Sequence, residues 1–308
     1  MIRLSIIMPV FNGESFIVEA LNSYYLQADT SIQLIVVDDG STDRTYQLIN
    51  SNFQVYIDMG SLILIKQNNS GVSSARNKAL DYATGDYLTF LDSDDVLLDG
   101  YVSNVLEVIN SAKPDIVEFG FKTFELLEDL SSQNDNFVYH KFGLIDFAEV
   151  KDTVYQKSIW YPCIRVFRRS LFNKHRFPEG VRFCEDMMVL TEIYEDVKIV
   201  FHIKKSLYGY RMNQSGATFN IRPDYMVNLL KFYEGLPKKN KTYLDYLKIN
   251  LAYLMYRCYD GKSLPVNIKY DFFVLFLRYF LNSKISLRKK LILGFPNMYR
   301  VLKGLLKK

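Results

Sequence analysis

The chain is poor in the features that would tie it to a redox, secretory or membrane class. Its 308 residues hold three cysteines, Cys163, Cys184 and Cys258. An odd number without a Cys-x-x-Cys pair argues against a disulfide framework and against a zinc site, and a reducing, cytosolic setting is the simplest expectation. No apolar run approaches the ~20 residues of a membrane span; the nearest, Phe272–Leu281, is short and contains Arg278. The opening run Ser5–Phe11 is broken by Pro9 and has no small-residue cleavage site after it, so it does not read as a signal peptide. The Gly-x-Gly-x-x-Gly fingerprint is missing after the first strand, where Pro9-Val10-Phe11-Asn12-Gly13-Glu14 stands instead. That speaks against a nicotinamide or flavin cofactor. There is no internal repeat and no low-complexity segment.

Acid is absent from one stretch in particular. Residues 284–308 carry Lys284, Arg288, Lys289, Lys290, Arg300, Lys303, Lys307 and Lys308 and no Asp or Glu, so the overall net charge of +4 belongs to this tail. The other 283 residues hold 30 bases against 34 acids. Met298, Val301, Leu302 and Leu305 recur at helical spacing after Pro296, with Arg300, Lys303 and Lys307 off the stripe. A basic amphipathic helix of this kind suits an anionic membrane surface; a terminal helix packed on the rest of the chain, its lysines solvated, is the competing expectation. Nucleic acid is a poor partner for a chain whose rim is acidic and whose excess of bases over acids is confined to its tail.

What the chain does have is strand–helix alternation. Leu4–Val10 reads as a buried strand ended by Pro9 and the turn Asn12-Gly13. Helical spacing follows in Phe16–Tyr25, a second strand in Leu34–Val37, a helix through Tyr46–Asn50, a third strand in Leu62–Lys66 and a helix over Ser73–Ala83. Tyr87–Leu91 is the fourth strand. Such alternation implies a parallel α/β sheet, whose ligand crevice lies beyond the carboxyl ends of the strands. That rule places Pro9–Glu14, Asp38–Asp43, Asn68–Arg76 and Asp92–Asp95 along one rim. Past Pro114 the pattern is less regular: Ile116–Phe124 reads as a strand, Ile199–Ile203 and Ser206–Arg211 as two more, and the chain is helical from about Asp224.

The sharpest chemical signal is the fourth strand running into Asp92-Ser93-Asp94-Asp95. Carboxylates this close repel one another unless a cation or hydrogen-bond donors sit between them, and Asp-x-Asp offers the hard oxygen ligands that Mg²⁺ or Mn²⁺ prefers. The bland reading is that these aspartates cap a helix over Val96–Ser111. An aspartyl-phosphate phosphatase would bring its Asp-x-Asp at the first strand, whereas here it follows the fourth. Asp38-Asp39 can accept hydrogen bonds from a base or a ribose, or can simply shape a turn. Arg76, on the first turns of its helix, suits a diphosphate or is a solvated surface residue. Glu185-Asp186 ahead of a helix is either a dipole-matched acid pair or the seat of a general base.

Taken together, Pro9-Val10-Phe11-Asn12-Gly13-Glu14, Val36–Asp43, Gly71–Asn77, Phe90–Asp95 and Glu185-Asp186 resemble the motif series of family 2 glycosyltransferases, over roughly residues 1–220. Trp160, Arg168-Arg169 and Tyr210-Arg211 followed by Ser215 and Thr218 fit the bacterial polysaccharide-biosynthesis branch. The resemblance implies an α/β GT-A fold, a Rossmann-like nucleotide-diphospho-sugar transferase domain over 1–220 with a mostly parallel sheet flanked by helices, and a helical region over 221–308. It implies inverting transfer of one hexosyl or N-acetylhexosaminyl group from a nucleotide sugar, most often a uridine diphosphate sugar, to a glycan or polyprenyl-diphosphate-linked acceptor at the cytoplasmic membrane face. Carried over by position, Pro9, Phe11 and Glu14 line the nucleotide pocket, Asp39 contacts the uracil and Arg76 the diphosphate. Asp92 lies against the ribose or metal, Asp94 is the principal Mn²⁺ or Mg²⁺ ligand, and Asp186 is the base with Glu185 beside it. Phe11 stands where the family often has Tyr, which removes one hydroxyl contact. A non-catalytic subunit that keeps the fold and supports an active partner is the competing class.

Overall fold

The computed structural model of the chain describes residues 2–213, 221–258 and 264–296. Ser215, Thr218 and the tail stripe Met298–Leu305 therefore lie outside the described residues. The elements in chain order are β1 (Leu4–Val10), α1 (Ile17–Tyr25), β2 (Ile32–Asp38), α2 (Thr45–Asp58), β3 (Leu62–Lys66), α3 (Val72–Tyr82), β4 (Tyr87–Phe90), β5 (Val96–Leu97) and α4 (Tyr101–Ser111). There follow β6 (Ile116–Phe124), β7 (Gly143–Asp146), α5 (Phe147–Lys157), β8 (Arg165–Arg168), α6 (Glu185–Asp196) and β9 (Ile199–Arg211), then α7 (Met226–Gly235), α8 (Thr242–Arg257), α9 (Val266–Tyr279) and α10 (Leu287–Gly294). Two compact units emerge: residues 1–149 with 160–216, and residues 150–159 with 217–308.

The first unit is a nine-stranded sheet in the order β3-β2-β1-β4-β8-β6-β9-β5, with β7 on β9. β1 is parallel to β2 and β4, and β2 to β3. Every residue of β1 and β2 is buried, as expected of strands covered on both faces. Beyond β4 the sheet is mixed: β8 runs antiparallel to both β4 and β6, while β6 and β9 are parallel. Pro9 does not end the first strand. Pairing with β4 stops at Ile7 and only β2 accompanies Pro9, so its missing N–H costs no ladder bond on the β4 side. The two strands expected over 199–211 are one long strand, β9, whose register against β6 shifts around Phe119, Gly120 and Phe121.

The expected helix over Val96–Ser111 starts late. Val96 and Leu97 pair with Gly209 and Tyr208 of β9, and Gly209 admits the Val96 side chain where a Cβ would stand 2.7 Å from it. Helix α4 opens only at Tyr101, its N-cap being Gly100 in the left-handed region at φ 81°. The aspartates at 92–95 therefore do not cap it, and the bland account of that cluster fails.

In the second unit Leu247, Leu251 and Met255 of α8 are fully buried. Asp245 accepts from Arg278 Nη1 at 2.6 Å and from Tyr279 Oη at 3.0 Å, and Asn250 Nδ2 donates to the Tyr155 carbonyl at 2.8 Å. No helix among the described residues is long and apolar enough to cross a membrane.

Gly85 fixes where β4 begins. Its N–H donates to Ser5 Oγ at 3.0 Å, and Ser5 Oγ donates in turn to Gln33 at 2.8 Å, tying β4 to β1 and β2. A Cβ on Gly85 would stand 2.7 Å from Ser5 N and 2.8 Å from Leu4 C and Tyr87 O, all backbone atoms that cannot step aside. Gly85→Ala is expected to destabilise the sheet by about 1–3 kcal/mol, read as a lower urea midpoint at unchanged slope; an unchanged midpoint would show that this strand start tolerates displacement.

Candidate active site

The four strand ends on the rim are joined into one hydrogen-bonded network. After β1, Asn12 N donates to Ser41 Oγ at 2.9 Å and Gly13 N to Thr45 Oγ1 at 2.8 Å, while Thr42 N donates back to Asn12 Oδ1 at 2.9 Å. Glu14 Oε2 accepts from the Arg44 backbone at 3.1 Å and from its side chain at 3.2 Å. Pro9 is buried within β1, and the Phe11 ring is 49% exposed at the strand's end. A large apolar ring left half in water at a rim of polar groups is a surface suited to stacking.

Asp39 joins the second strand end to the third. Its Oδ1 accepts from Gln67 Nε2 and from Ser70 N, and its Oδ2 from Gly71 N, each at 2.8 Å. Gly40 makes this possible: at φ 75° it turns the chain where a Cβ would sit 2.7 Å from Asn69 N. Asp38 Oδ2 and Ser73 Oγ, at the same rim, and Arg76 Nε are buried with no hydrogen-bond partner among the described residues.

Arg76 is the centre. Its side chain is only 4% exposed, and it lies 5.1 Å and 5.8 Å from the ring centroids of Phe177 and Phe90. Nη2 reaches Asp92 Oδ1 at 3.0 Å; Nη1 reaches Asp186 Oδ1 at 2.6 Å and Glu185 Oε1 at 3.4 Å. Expected at a diphosphate, Arg76 instead commits both terminal nitrogens to carboxylates. Burial would lower its pKa, but the Asp186, Asp92 and Glu185 charges outweigh burial and raise it. Three acids share one guanidinium, so negative charge is in excess. Burial lifts the Asp186 carboxyl well above the usual range against the pull of Arg76, with Glu185 and Asp92 adding to the rise. Burial likewise raises Glu185. Both acids open α6 behind Cys184, which holds a left-handed φ of 64°, so the helix dipole and Arg76 act on them together.

The Asp92–Asp95 loop divides its carboxylates among separate neighbours. Asp92 faces Arg76. Asp94 Oδ2 accepts from Asn213 Nδ2 at 3.2 Å, and burial and the Asp92 charge raise its pKa. Asp95 turns inward: Oδ2 accepts from Tyr208 Oη and Oδ1 from Arg211 N, both at 2.7 Å, while Arg211 Nε donates to the Asp94 carbonyl at 2.7 Å. Tyr208 Oη also accepts from Asp92 N at 3.2 Å. Ligand atoms of Asp92, Asp95 and Cys163 lie within 4.8 Å of one another. Burial pushes the Cys163 thiol well above its ordinary value, so it stays protonated and is no ligand for a hard ion. Asp95, with both oxygens already accepting hydrogen bonds, braces the loop. Asp94, expected as the principal metal ligand, has no oxygen in that group; the hard oxygen donors of the kind Mg²⁺ or Mn²⁺ takes that the structure brings together there are those of Asp92 and Asp95.

Asp95, Tyr208 and Asn213 have no assigned role in the sequence reading. Asp95 was visible as the third acid of the cluster; nothing along the chain marks Tyr208 and Asn213 as neighbours of a loop more than a hundred residues earlier. Trp160, the single tryptophan, is buried with its ring 6.0 Å from that of Tyr194 on α6.

Arg76→Met keeps the bulk between Phe90 and Phe177 and removes the charge. It is expected to cost about 3–5 kcal/mol at neutral pH by stranding three carboxylates. Without the guanidinium the Asp186 and Glu185 carboxyls, already raised by burial, rise further, so the cost is fully felt above their folded-state pKa values and fades as pH falls toward the unfolded-state range. Thermal melts of both proteins at about pH 7.5 and about pH 5 check this; an equal deficit at both would assign Arg76 to packing.

The sequence profile described as "Glycosyl transferase family 2" matches residues 5–176. The glycosyltransferase GlyA of Streptococcus pneumoniae is 29% identical over 232 residues, which is 70% of this chain and 31% of GlyA; the chain thus spans less than a third of that relative's length. A Campylobacter jejuni GalNAc(5)-diNAcBac-PP-undecaprenol β-1,3-glucosyltransferase is 28% identical over 269 residues, 84% of this chain and 83% of the relative. Among solved structures, Staphylococcus aureus TarS 1-349 in complex with UDP-GlcNAc superposes with a TM-score of 0.68 at 18% identity, covering 98% of this chain and 92% of the other. This likeness establishes the GT-A fold, with its central sheet flanked by helices. The acidic loop after β4, the buried arginine that gathers it to the start of α6, and the profile match over more than half the chain agree: the protein belongs to glycosyltransferase family 2.

Proposed function

We propose that the chain transfers one sugar, a hexose or N-acetylhexosamine, with inversion, from a uridine diphosphate sugar to a glycan or polyprenyl-diphosphate-linked acceptor in cell-surface polysaccharide synthesis. The observation that carries this is the clustering of Asp92, Glu185 and Asp186 on Arg76, which brings a donor-side acid and an acceptor-side acid into one site. The UDP-GlcNAc complex of TarS and the undecaprenol-linked substrate named for the Campylobacter enzyme support the two substrate classes.

In this reading Phe11 stacks on the uracil beside Pro9, Asp39 accepts from its imide N–H at the second lone pair of Oδ2, whose other acceptor site is taken by Gly71 N, and Glu14 holds the Asp43–Thr45 turn in place through Arg44. Asp92 and Asp94 would hold a Mn²⁺ or Mg²⁺ ion, which when bound supplies positive charge to the departing diphosphate. Arg76 serves as a positioning residue that fixes Asp92 and Asp186 relative to one another. Asp186 takes the proton of the acceptor hydroxyl at a carboxylate oxygen, its raised pKa making it a stronger base than an exposed aspartate. Attack from the face opposite the leaving diphosphate gives inversion. The work is placed at the cytoplasmic face of the membrane, where capsule or exopolysaccharide precursors are built on lipid carriers; the basic tail expected to assist lies outside the described residues.

Asp186→Asn is expected to lower turnover about 10²–10⁴-fold while UDP-sugar affinity, measured by calorimetry, stays within about twofold. Asp94→Asn removes a carboxylate whose charged form is disfavoured by burial; it should raise the melting temperature of the free protein and abolish the further rise given by Mn²⁺ with UDP. Wild-type rates of UDP release in the Asp186→Asn protein would remove the base assignment.

A further inference from the structure

Helix α9 turns an apolar face to solvent. Its buried side is made by Ile268, Phe272, Leu275, Phe276 and Tyr279, which is ordinary for a helix of a small bundle. The opposite side is the anomaly: Val266, Tyr270, Phe273 and Leu277 are exposed, and Phe280 and Leu281 just past the helix continue them. At ~100° per residue these six positions fall within an arc of about 100°. Leu281 is 89% exposed and Val266 81%. Scattered exposed apolar side chains need no explanation, but a continuous stripe of large ones marks a surface that something covers.

Charge identifies the occupant. Asp271 is the last acid in the chain; residues 272–308 carry nine bases and no Asp or Glu. Lys269 on α9 and Lys284 beyond it are exposed bases that flank the stripe; Arg278 at the last turn is exposed but already paired with Asp245, and the exposed Asp271 lies on α9 off the stripe. We infer that the α9 stripe is a docking face for an anionic lipid bilayer, with the apolar side chains entering between headgroups and the flanking bases meeting lipid phosphates. An apolar face rimmed by cations matches such a surface in both terms. A second copy of this chain matches it in one only, because pairing two copies of the stripe would bring like charges together. The inference goes beyond the transferase reading and does not depend on it: it concerns the second unit alone and is read without any sugar or nucleotide.

Full-length protein is mixed with vesicles of phosphatidylcholine, or of equal parts phosphatidylcholine and phosphatidylglycerol, and sedimented. The wild type is expected to sediment with the anionic vesicles, and less so as salt is raised. Tyr270→Ser/Leu277→Ser/Leu281→Ser should reduce the bound fraction about tenfold or more; Lys269→Gln/Lys284→Gln should reduce binding to anionic vesicles and leave the phosphatidylcholine background unchanged. All substituted side chains are exposed, and an unchanged melting temperature checks that the fold survives. Equal sedimentation of the wild type and the triple-serine protein would overturn the proposal. So would a wild-type dimer in sedimentation velocity that the triple-serine change turns to monomer, with no vesicle binding by either protein.

Discussion

One buried guanidinium decides the geometry of the site. Arg76 sits between Phe90 and Phe177 with almost no access to water and holds acids from the end of β4 and the start of α6, segments about a hundred residues apart. A charge in that position is tolerated only because it is surrounded by partners, and the partners are confined to that position only because it is charged. Burial first, and the neighbouring negative charge after it, raises the Asp186 and Glu185 carboxyls against the pull of Arg76.

The loop after β4 solves a related problem, how to hold three acids in four residues. Its carboxylates are not left side by side. Asp92 turns to Arg76, Asp94 to Asn213, and Asp95 inward to Tyr208 and the Arg211 backbone. Strand β9 supplies the inward brace, and β5 clamps the chain immediately afterwards by pairing with β9. The loop is thus fixed on both sides by the mixed half of the sheet, while the parallel half supplies the turns tied together by Asn12 and Asp39.

The parallel half was readable along the chain because its strands are continuous apolar runs and each ends in a polar turn. Val36–Asp43 and Phe90–Asp95 carry both signals within a few residues. The mixed half was harder. Val96 and Leu97 look like the first turn of an amphipathic helix until β9 is known to lie beside them, and β9 itself looked like two strands because Lys204 and Lys205 interrupt its apolar pattern at the register shift. Arg76 shows the same limit at the level of one side chain. Its place near a helix start suggested an anion, and only the fold shows carboxylates from α6 within reach, because no local pattern encodes a contact across 110 residues. Asp39 was more legible, since its partners Ser70 and Gly71 belong to the next strand end, which the α/β rule already places beside it.

Trp160 carries a consequence of its own. It is the single indole in the chain, shielded from water and set against Tyr194 on the helix that begins with Glu185 and Asp186. Ultraviolet emission excited at the red edge of protein absorbance therefore arises from one fixed position, with a phenol ring as its near neighbour. The molecule carries an intrinsic optical gauge of how α6 is seated, and a shift of that helix would register as a change of colour or lifetime without any label.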